Sequence, residues 1–394
     1  MKFAESGMVA TGGSSLVIEN ASIVTPEKVV ENGSIKIVDG IVAEISEGRL
    51  SGCDERVDAA GMLVMPGLID LHSDAIEEEI EPQPGEFLPL NVAIFEMDKK
   101  LAASGITTIY HSISYASHRI VSKRNNEIAS EIVREVNRLA PMLGVRTRIH
   151  ARFDITNEKA VPHLEKLINA GSVQLFSIMD HTPGQGQFKD MTRYGAFKTG
   201  IRPDKRDIAR HIENNLMAAV PLQTGYIRHL VDHCLMLGIP VASHDDDSEL
   251  KLDIIEGMGI DITEFPVNLE TAAEAFKRNM HILYGAPNIL RGVSTGGNLS
   301  ARDAIRAGYG GIVCSDYAPA SILHAIFTLE KEGVPFPKAV NMASLNPAGA
   351  VGISDRTGSL ETGKQADLII VDPSEEIPAI KKTLVEGKEV FSTS

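Results

Sequence analysis

The chain has 394 residues, of which 43% are hydrophobic and 23% charged, a balance typical of a folded globular protein rather than a disordered or fibrous one. Acidic residues outnumber basic ones by 53 to 38, and the formal net charge of -15 disfavours nucleic acids and anionic membranes as partners. Cys53, Cys234 and Cys314 lie far apart, which excludes a C-x-x-C motif. With no leader-like start and no run of eighteen apolar residues, we expect a cytoplasmic protein.

Both ends of the chain predict short strands. Near the start, SLVIENASIVTP and GSIKIVDGIVAEI alternate apolar and polar residues, with a hairpin signal at Asp39-Gly40. Near the end, ADLIIVDP and IKKTLVEGKEVFSTS have the same character, with a second turn at Gly387. Because chain termini commonly lie close together, we expect residues 1–65 and 353–394 to form one small β-sandwich domain.

Residues 66–352 alternate short β-branched runs with longer helical patterns, which indicates repeated βα units and a parallel sheet. Eight such units predict an α/β fold, a (β/α)8 TIM barrel, over an open doubly wound sheet, since no Gly-rich phosphate fingerprint follows the early strands. Three of the predicted helices are NEIASEIVREVNRLA, SELKLDIIEGMG and LETAAEAFKRN. The eight strands are predicted to end near Leu71, Tyr110, Phe153, Met179, Ser243, Phe265, Gly285 and Ser315.

Imidazole and carboxylate groups follow six of these strands, at the end of a barrel where active sites lie. Such groups are ligands for zinc, manganese, iron or nickel. Alternate residues of a strand point to one face, so His72 and Asp74 can address one metal ion. The polar groups at the strand ends are His72, Asp74, His150, Arg152, Asp154, Asp180, His181, His244, Asp245, Glu264 and Asp316.

Two histidines and one glycine-rich loop are more ambiguous. His111 and His118 follow the second predicted strand and could serve the site, the core or a solvated loop. The loop GAPNILRGVSTGGN, after the seventh strand, could cradle a phosphate, with Arg291 adding positive charge.

Two segments resemble the amidohydrolase superfamily. Residues 66–72, PGLIDLH, are similar to its first barrel strand, and residues 358–368, GSLETGKQADL, are similar to its C-terminal signature. Most members carry H-x-H on the first strand, whereas this chain has H-x-D. One branch, the PhnM ribose methylphosphonate triphosphate diphosphatases of the carbon-phosphorus lyase pathway, is resembled through SIMDHTPGQGQF, ASHDD, TEFP, YGAPNILRG and SDYAPAS.

The resemblance implies a metal-dependent hydrolase that releases pyrophosphate from a ribose 1-methylphosphonate 5-triphosphate in phosphonate catabolism. It implies one or two divalent metal ions, zinc first, with manganese, iron or nickel as alternatives. The implied metal ligands are His72, Asp74, His244 and Asp316, with Asp154, Asp180 or His181 as the shared ligand.

The remaining implied roles concern the reaction and its substrate. Asp316 is expected to accept the proton of the attacking water. Contacts to a small phosphorylated substrate are expected from His150, Arg152, Glu264 and Arg291. Ala75 and Thr295 stand where the branch usually has asparagine and histidine, which leaves the exact substrate open.

Two other functions remain open. One is a C-N hydrolase, either an amidase or a deaminase, as in most of the superfamily. The other is a catalytically silent scaffold on the same fold, which the intact strand-end ligands disfavour. The sequence also leaves open whether the protein forms a homo-oligomer.

Overall fold

Two sheets organise the chain in the computed structural model, which describes residues 15–83, 85–116, 125–180, 221–222, 224–294, 297–374 and 376–393. The strands are β1 Ser15–Val24, β2 Val29–Val38, β3 Ile41–Glu47, β4 Glu55–Asp58, β5 Leu63–Pro66, β6 Leu68–Ser73, β7 Ile106–Tyr115, β8 Arg146–Asp154, β9 Leu175–Met179, β10 Val241–His244, β11 Ile262–Glu264, β12 His281–Gly285, β13 Ile312–Cys314, β14 Leu368–Asp372, β15 Ala379–Val385 and β16 Lys388–Ser392. The α-helices in these ranges are α1 Ala75–Ile80, α2 Leu90–Ala103, α3 Asn126–Leu139, α4 Val161–Asn169, α5 Gly225–Met236, α6 Glu249–Glu256, α7 Leu269–Lys277, α8 Ala286–Arg291, α9 Ala301–Arg306, α10 Ser321–Lys331, α11 Phe336–Asn341 and α12 Leu345–Ala350.

The two ends of the chain share one mixed sheet, in the order β16-β15-β14-β5-β1-β2-β3, with β4 also pairing with β1. The ends join where β5 and β14 run antiparallel, with Pro66 opposite Leu368. This sheet buries a hydrophobic cluster of its own that includes Ile18, Ile35 and Ile370. The predicted small β-domain built from both termini is therefore confirmed, while its boundaries at residues 65 and 353 remain a proposal.

The predicted hairpin turn at Asp39-Gly40 is confirmed between β2 and β3, where both residues have positive φ, 51° and 77°. Positive φ at both central residues is the type I′ pattern, which matches the twist of the paired strands. Gly40 also packs against the β15–β16 turn, because a Cβ added to it would lie 2.5 Å from the carbonyl oxygen of Glu386. The two hairpin turns thus meet, which requires glycine at this position.

The middle of the chain forms a parallel sheet in the order β6 to β13, which nearly closes into a barrel. Closure occurs between the first and last strands: Asp316 N donates to the His72 carbonyl at 3.0 Å, and Asp74 N donates to the Asp316 carbonyl at 2.6 Å. Helices follow the described strands, as repeated βα units require. The predicted TIM barrel is confirmed.

The predicted strand ends are correct to within two residues except for the second strand, which continues to Tyr115. His111 therefore lies within β7 and does not follow it, and it is 2% exposed. The reason is that β7 is buried along almost its whole length, so a histidine in its middle does not end the apolar run.

The three helices predicted from NEIASEIVREVNRLA, SELKLDIIEGMG and LETAAEAFKRN are α3, α6 and α7. Each begins after a side-chain cap: Asn125, Ser248 and Asn268 accept hydrogen bonds from backbone amides in the first turn. Within the ranges that the structure describes, the helices lack either the length or the apolar character that a membrane span requires.

Asp367, in the C-terminal signature, joins the terminal sheet to the barrel. Its carboxylate pairs with Arg146 at the start of β8, with Nη1 and Oδ2 2.8 Å apart. It also accepts hydrogen bonds from the Thr357 hydroxyl at 2.6 Å and from the Glu386 amide at 2.9 Å. Its side chain is 1% exposed, so these donors take the place of water around the buried carboxylate.

We expect Asp367→Ala to lower the free energy of unfolding by roughly 2 kcal/mol, because Arg146 keeps only Glu386 as a charged partner and the Thr357 hydroxyl and Glu386 amide lose their acceptor. Urea denaturation followed by circular dichroism measures this change. Asp372→Ala, at the end of β14, is the control and should shift the midpoint far less, because its contacts with Lys381 and Ser374 lie near solvent. Equal shifts in the two variants would contradict the role of Asp367.

Candidate active site

Histidines from three strands meet at the carboxyl end of the barrel. The ring centroids of His72 and His150 are 5.2 Å apart, and those of His72 and His244 are 5.5 Å apart. All three side chains are buried. The parallel strands bring these residues together because all of them end at the same rim.

His72 lies at the centre of this group and presents its two ring nitrogens to different carboxylates. Nδ1 lies 3.0 Å from Glu264 Oε1, and Nε2 lies 3.8 Å from Asp74 Oδ1. Burial and the charge of Arg152 lower the pKa of His72 to about 3, so the ring is neutral near pH 7. Since a carboxylate oxygen accepts hydrogen bonds, Nδ1 donates to Glu264, and the lone pair of Nε2 faces Asp74.

Two groups of side chains have ligand atoms close enough for one metal ion, within 4.8 Å of one another. The first, His72, His150 and Glu264, is fully buried, and the second, His72, Asp74 and Asp316, is partly exposed. His150 and Glu264 are predicted to contact the substrate, and the structure brings their side chains into one potential metal-binding group with His72. Both groups offer nitrogen and carboxylate oxygen, which suits zinc and similar ions.

The carboxylates beside His72 carry more negative charge than the neighbouring groups neutralise. Burial, followed by the charge of Asp74, raises the pKa of Asp316 to about 7. Burial raises the pKa of Asp70 to about 7 as well. Glu264 Oε2 is buried and has no hydrogen-bond partner among the described residues. An additional cation would stabilise all of these groups, so the donor set fits a divalent metal ion.

Arg152 places one fixed positive charge in the same cleft. Its Nη1 donates to Asp74 Oδ1 at 2.5 Å, and its Nη2 lies 3.3 Å from His244 Nε2. Burial acts to lower the pKa of Arg152, but the charge and hydrogen bond of Asp74 together with the charges of Glu264 and Glu77 outweigh it and raise the pKa above its ordinary value. The Nε-H of this buried guanidinium has no acceptor among the described residues, so it can donate to an anionic ligand.

Three residues at the rim have left-handed backbones without being glycine. Asp245, Phe265 and Asp316 have φ of 56°, 55° and 58°, and each lies one or two residues after the end of a barrel strand. Their amides still donate to the neighbouring strand, as from Asp245 to the Glu264 carbonyl at 2.8 Å. Such backbones cluster at functional sites, where the surrounding structure must hold them in place.

The structure does not bring every predicted residue into these groups. Asp154 is buried at the end of β8 and accepts from the Thr156 amide and hydroxyl at 3.1 and 2.6 Å. Asp180 follows β9 and lies close enough to Lys251 for its charge to raise the pKa of that amine. Arg291 ends α8 near solvent, where Nη1 donates to the Tyr317 hydroxyl at 2.5 Å. His118, His181 and Thr295 lie outside the described residues.

Two features of the site were not predicted from the sequence. Asp70 is fully buried and its Oδ1 accepts from the His72 and Ser315 amides at 3.2 and 3.0 Å. The alternation that paired His72 with Asp74 also extends back to Asp70, so the same signal could have found it. Lys251 lies on α6, whose sequence resembles an ordinary surface helix and carried no such signal.

Comparison with known proteins places this geometry in a family. Alpha-D-ribose 1-methylphosphonate 5-triphosphate diphosphatase of Escherichia coli is 31% identical over 387 residues, which cover 95% of this chain and 100% of the relative. Imidazolonepropionase of Thermoplasma acidophilum is 23% identical, covering 93% of this chain and 90% of the relative. The solved structure of A. niger ochratoxinase has a TM-score of 0.66 at 14% identity, covering 97% of this chain and 96% of that one, and shares the fold.

The family match extends over residues 63–390 and so includes the whole barrel and the C-terminal strands. The barrel, the histidines and carboxylates at its carboxyl rim, and a relative above 30% identity over its full length agree with that match. The chain belongs to the amidohydrolase family.

Proposed function

We propose that the protein is a metal-dependent diphosphatase that hydrolyses alpha-D-ribose 1-methylphosphonate 5-triphosphate in phosphonate catabolism. Water would cleave the anhydride between the α and β phosphoryl groups, releasing pyrophosphate and leaving the 5-phosphate. The observation that carries this proposal is the full-length similarity to the Escherichia coli diphosphatase. The charges of the site support it, because the cleft combines a cation-seeking carboxylate cluster with a buried arginine.

The residues proposed to hold a divalent ion are His72, Asp74 and Asp316, which lie at the partly exposed side of the site. His244 is the further proposed ligand, and zinc is the first candidate, followed by manganese, iron or nickel. A divalent ion bound there supplies Lewis acidity toward water and toward phosphoryl oxygens. Glu264 holds the His72 ring in the orientation that directs Nε2 toward Asp74.

Two further residues are proposed to act on the substrate directly. A carboxylate oxygen of Asp316 takes the proton of the attacking water, since Asp316 belongs to the partly exposed ligand group with His72 and Asp74. Arg152 neutralises charge on the phosphoryl oxygens through its Nε-H, which has no acceptor among the residues that the structure describes. Arg291 is proposed to contact the outer phosphates from the rim, where it now pairs with Tyr317.

The second candidate function is C-N bond hydrolysis, and similarity to deaminases and to imidazolonepropionase favours it. One such relative, 5'-deoxyadenosine deaminase of Methanosarcina mazei, is 22% identical and covers 95% of this chain. Against it, a neutral amide or amine substrate would make no use of the positive charge that Arg152, already paired with Asp74, adds to the cleft. The two candidates therefore differ in whether the site needs an anion.

The substrate assay separates these candidates. With added zinc or manganese, we expect release of pyrophosphate, and not of single phosphate, from the ribose triphosphate that bears a methylphosphonate. A parallel panel of cyclic amides, N-acyl amino acids and aminopurine nucleosides should give no turnover. Turnover of a member of that panel without any pyrophosphate release would establish the C-N hydrolase instead.

We expect His72→Ala to lose bound divalent metal while keeping its fold, because it removes the side chain that both candidate ligand groups share. Elemental analysis of purified protein measures the metal, and circular dichroism reports the fold. His229→Ala is the matched control, since His229 lies on α5 with a side chain that is 60% exposed. Full metal occupancy in His72→Ala would overturn the proposed site.

We expect Asp316→Asn to retain metal but to lower the turnover number by roughly a hundredfold to ten-thousandfold. The amide fills the same space and offers an oxygen, but it cannot accept the proton. Steady-state kinetics with metal-saturated protein measures the loss. Turnover near that of the original protein would remove Asp316 from the role of proton acceptor.

A further inference from the structure

We propose that Lys251 and Asp246 are positioning residues that hold the left-handed turn at Asp245 and thereby fix His244 in the site. This inference rests on the proposed function, which makes His244 a metal ligand. Neither Lys251 nor Asp246 belongs to the candidate ligand groups. Both act on the site through the backbone that follows β10.

Asp246 is fully buried and both of its carboxylate oxygens are satisfied. Oδ1 accepts from the Ser243 hydroxyl at 2.6 Å and lies 3.0 Å from Lys251 Nζ. Oδ2 accepts from the Thr263 hydroxyl at 2.5 Å. Because these donors come from β10, β11 and α6, the carboxylate ties together three elements around the turn.

Lys251 completes the connection by binding the backbone of the turn itself. Its Nζ donates to the His244 carbonyl at 2.9 Å and to the Asp245 carbonyl at 3.4 Å. Its side chain is only 13% exposed. The backbone of Lys251 is fixed as well, because its amide donates to the hydroxyl of the capping residue Ser248 at 3.4 Å. One ammonium group therefore restrains two consecutive peptide units next to the site.

The turn needs such restraint because Asp245 has φ of 56°, a backbone that residues with a Cβ disfavour. The position of this turn matters for two side chains. His244 Nδ1 lies 2.8 Å from Asp245 Oδ2, and His244 Nε2 lies 3.3 Å from Arg152 Nη2. If the turn relaxed to an ordinary backbone, the imidazole would leave this position in the cleft.

A purely structural ion pair would have the same contacts, so the test must separate positioning from stability. Lys251→Met alone leaves Asp246 charged and buried, which is destabilising in its own right. The double variant Lys251→Met with Asp246→Asn removes both charges together, and such replacements are often tolerated. Lys277→Met is the matched control, because Lys277 lies in the neighbouring helix α7 with a 71% exposed side chain.

The primary measurement is zinc affinity by chelator competition, in protein shown to be folded by circular dichroism. We expect the double variant to bind zinc about tenfold or more weakly, as removal of groups that orient metal ligands commonly does. In a His244→Ala background, the same double change should weaken zinc binding less than twofold further, since its effect acts through His244. The double variant should also have a lower turnover number, and this loss should be much smaller in the His244→Ala background.

Several results would overturn the inference. The double variant could bind zinc within twofold of the original affinity, or the double change could weaken zinc binding as strongly in the His244→Ala background as in the original protein. A tenfold loss of zinc affinity in Lys277→Met would also overturn it. So would a double variant that does not fold. Wild-type protein without zinc affinity overturns the inference together with the proposed metal site. If the zinc affinities of all variants are as expected but the original protein releases no pyrophosphate, only the diphosphatase assignment is overturned.

Discussion

The site depends on the pair of backbone hydrogen bonds that joins the end of β6 to Asp316, two residues after β13. The Asp316 amide donates to the His72 carbonyl at 3.0 Å, and the Asp316 carbonyl accepts from the Asp74 amide at 2.6 Å. In the partly exposed ligand group, His72 and Asp74 therefore lie on one side of the barrel closure and Asp316 lies on the other. Residues 72 and 316 are far apart in sequence, so only closure of the barrel brings them together.

The electrostatics of the site follow from burial of like charges. Asp70 and Asp316 are held where burial disfavours their ionised forms, and in Asp316 the nearby Asp74 adds to that effect. Arg152 neutralises part of this charge through its ion pair with Asp74. In an acidic protein, attraction for the anionic substrate proposed above would come from such local cations rather than from the net charge.

The terminal sheet supports the barrel through a few buried polar contacts. Asp367 connects β14 to the start of β8, and the turn at Gly40 packs on the turn at Glu386. Of these residues, Asp367 lies within the C-terminal signature. The signature near the C-terminus therefore reflects joining of the two sheets rather than chemistry at the site.

The sequence by itself determined the barrel, the small domain from both termini and the rim on which His72, Asp74 and Asp316 lie. It could do so because strand alternation and strand ends are local properties of the chain. The tertiary structure decided which side chains approach one another: His150 and Glu264 lie beside His72, Asp154 bonds its own turn, and Arg291 pairs with Tyr317. It also decided that His111 is a core residue and that Lys251 reaches the site, because both depend on packing between segments distant in sequence.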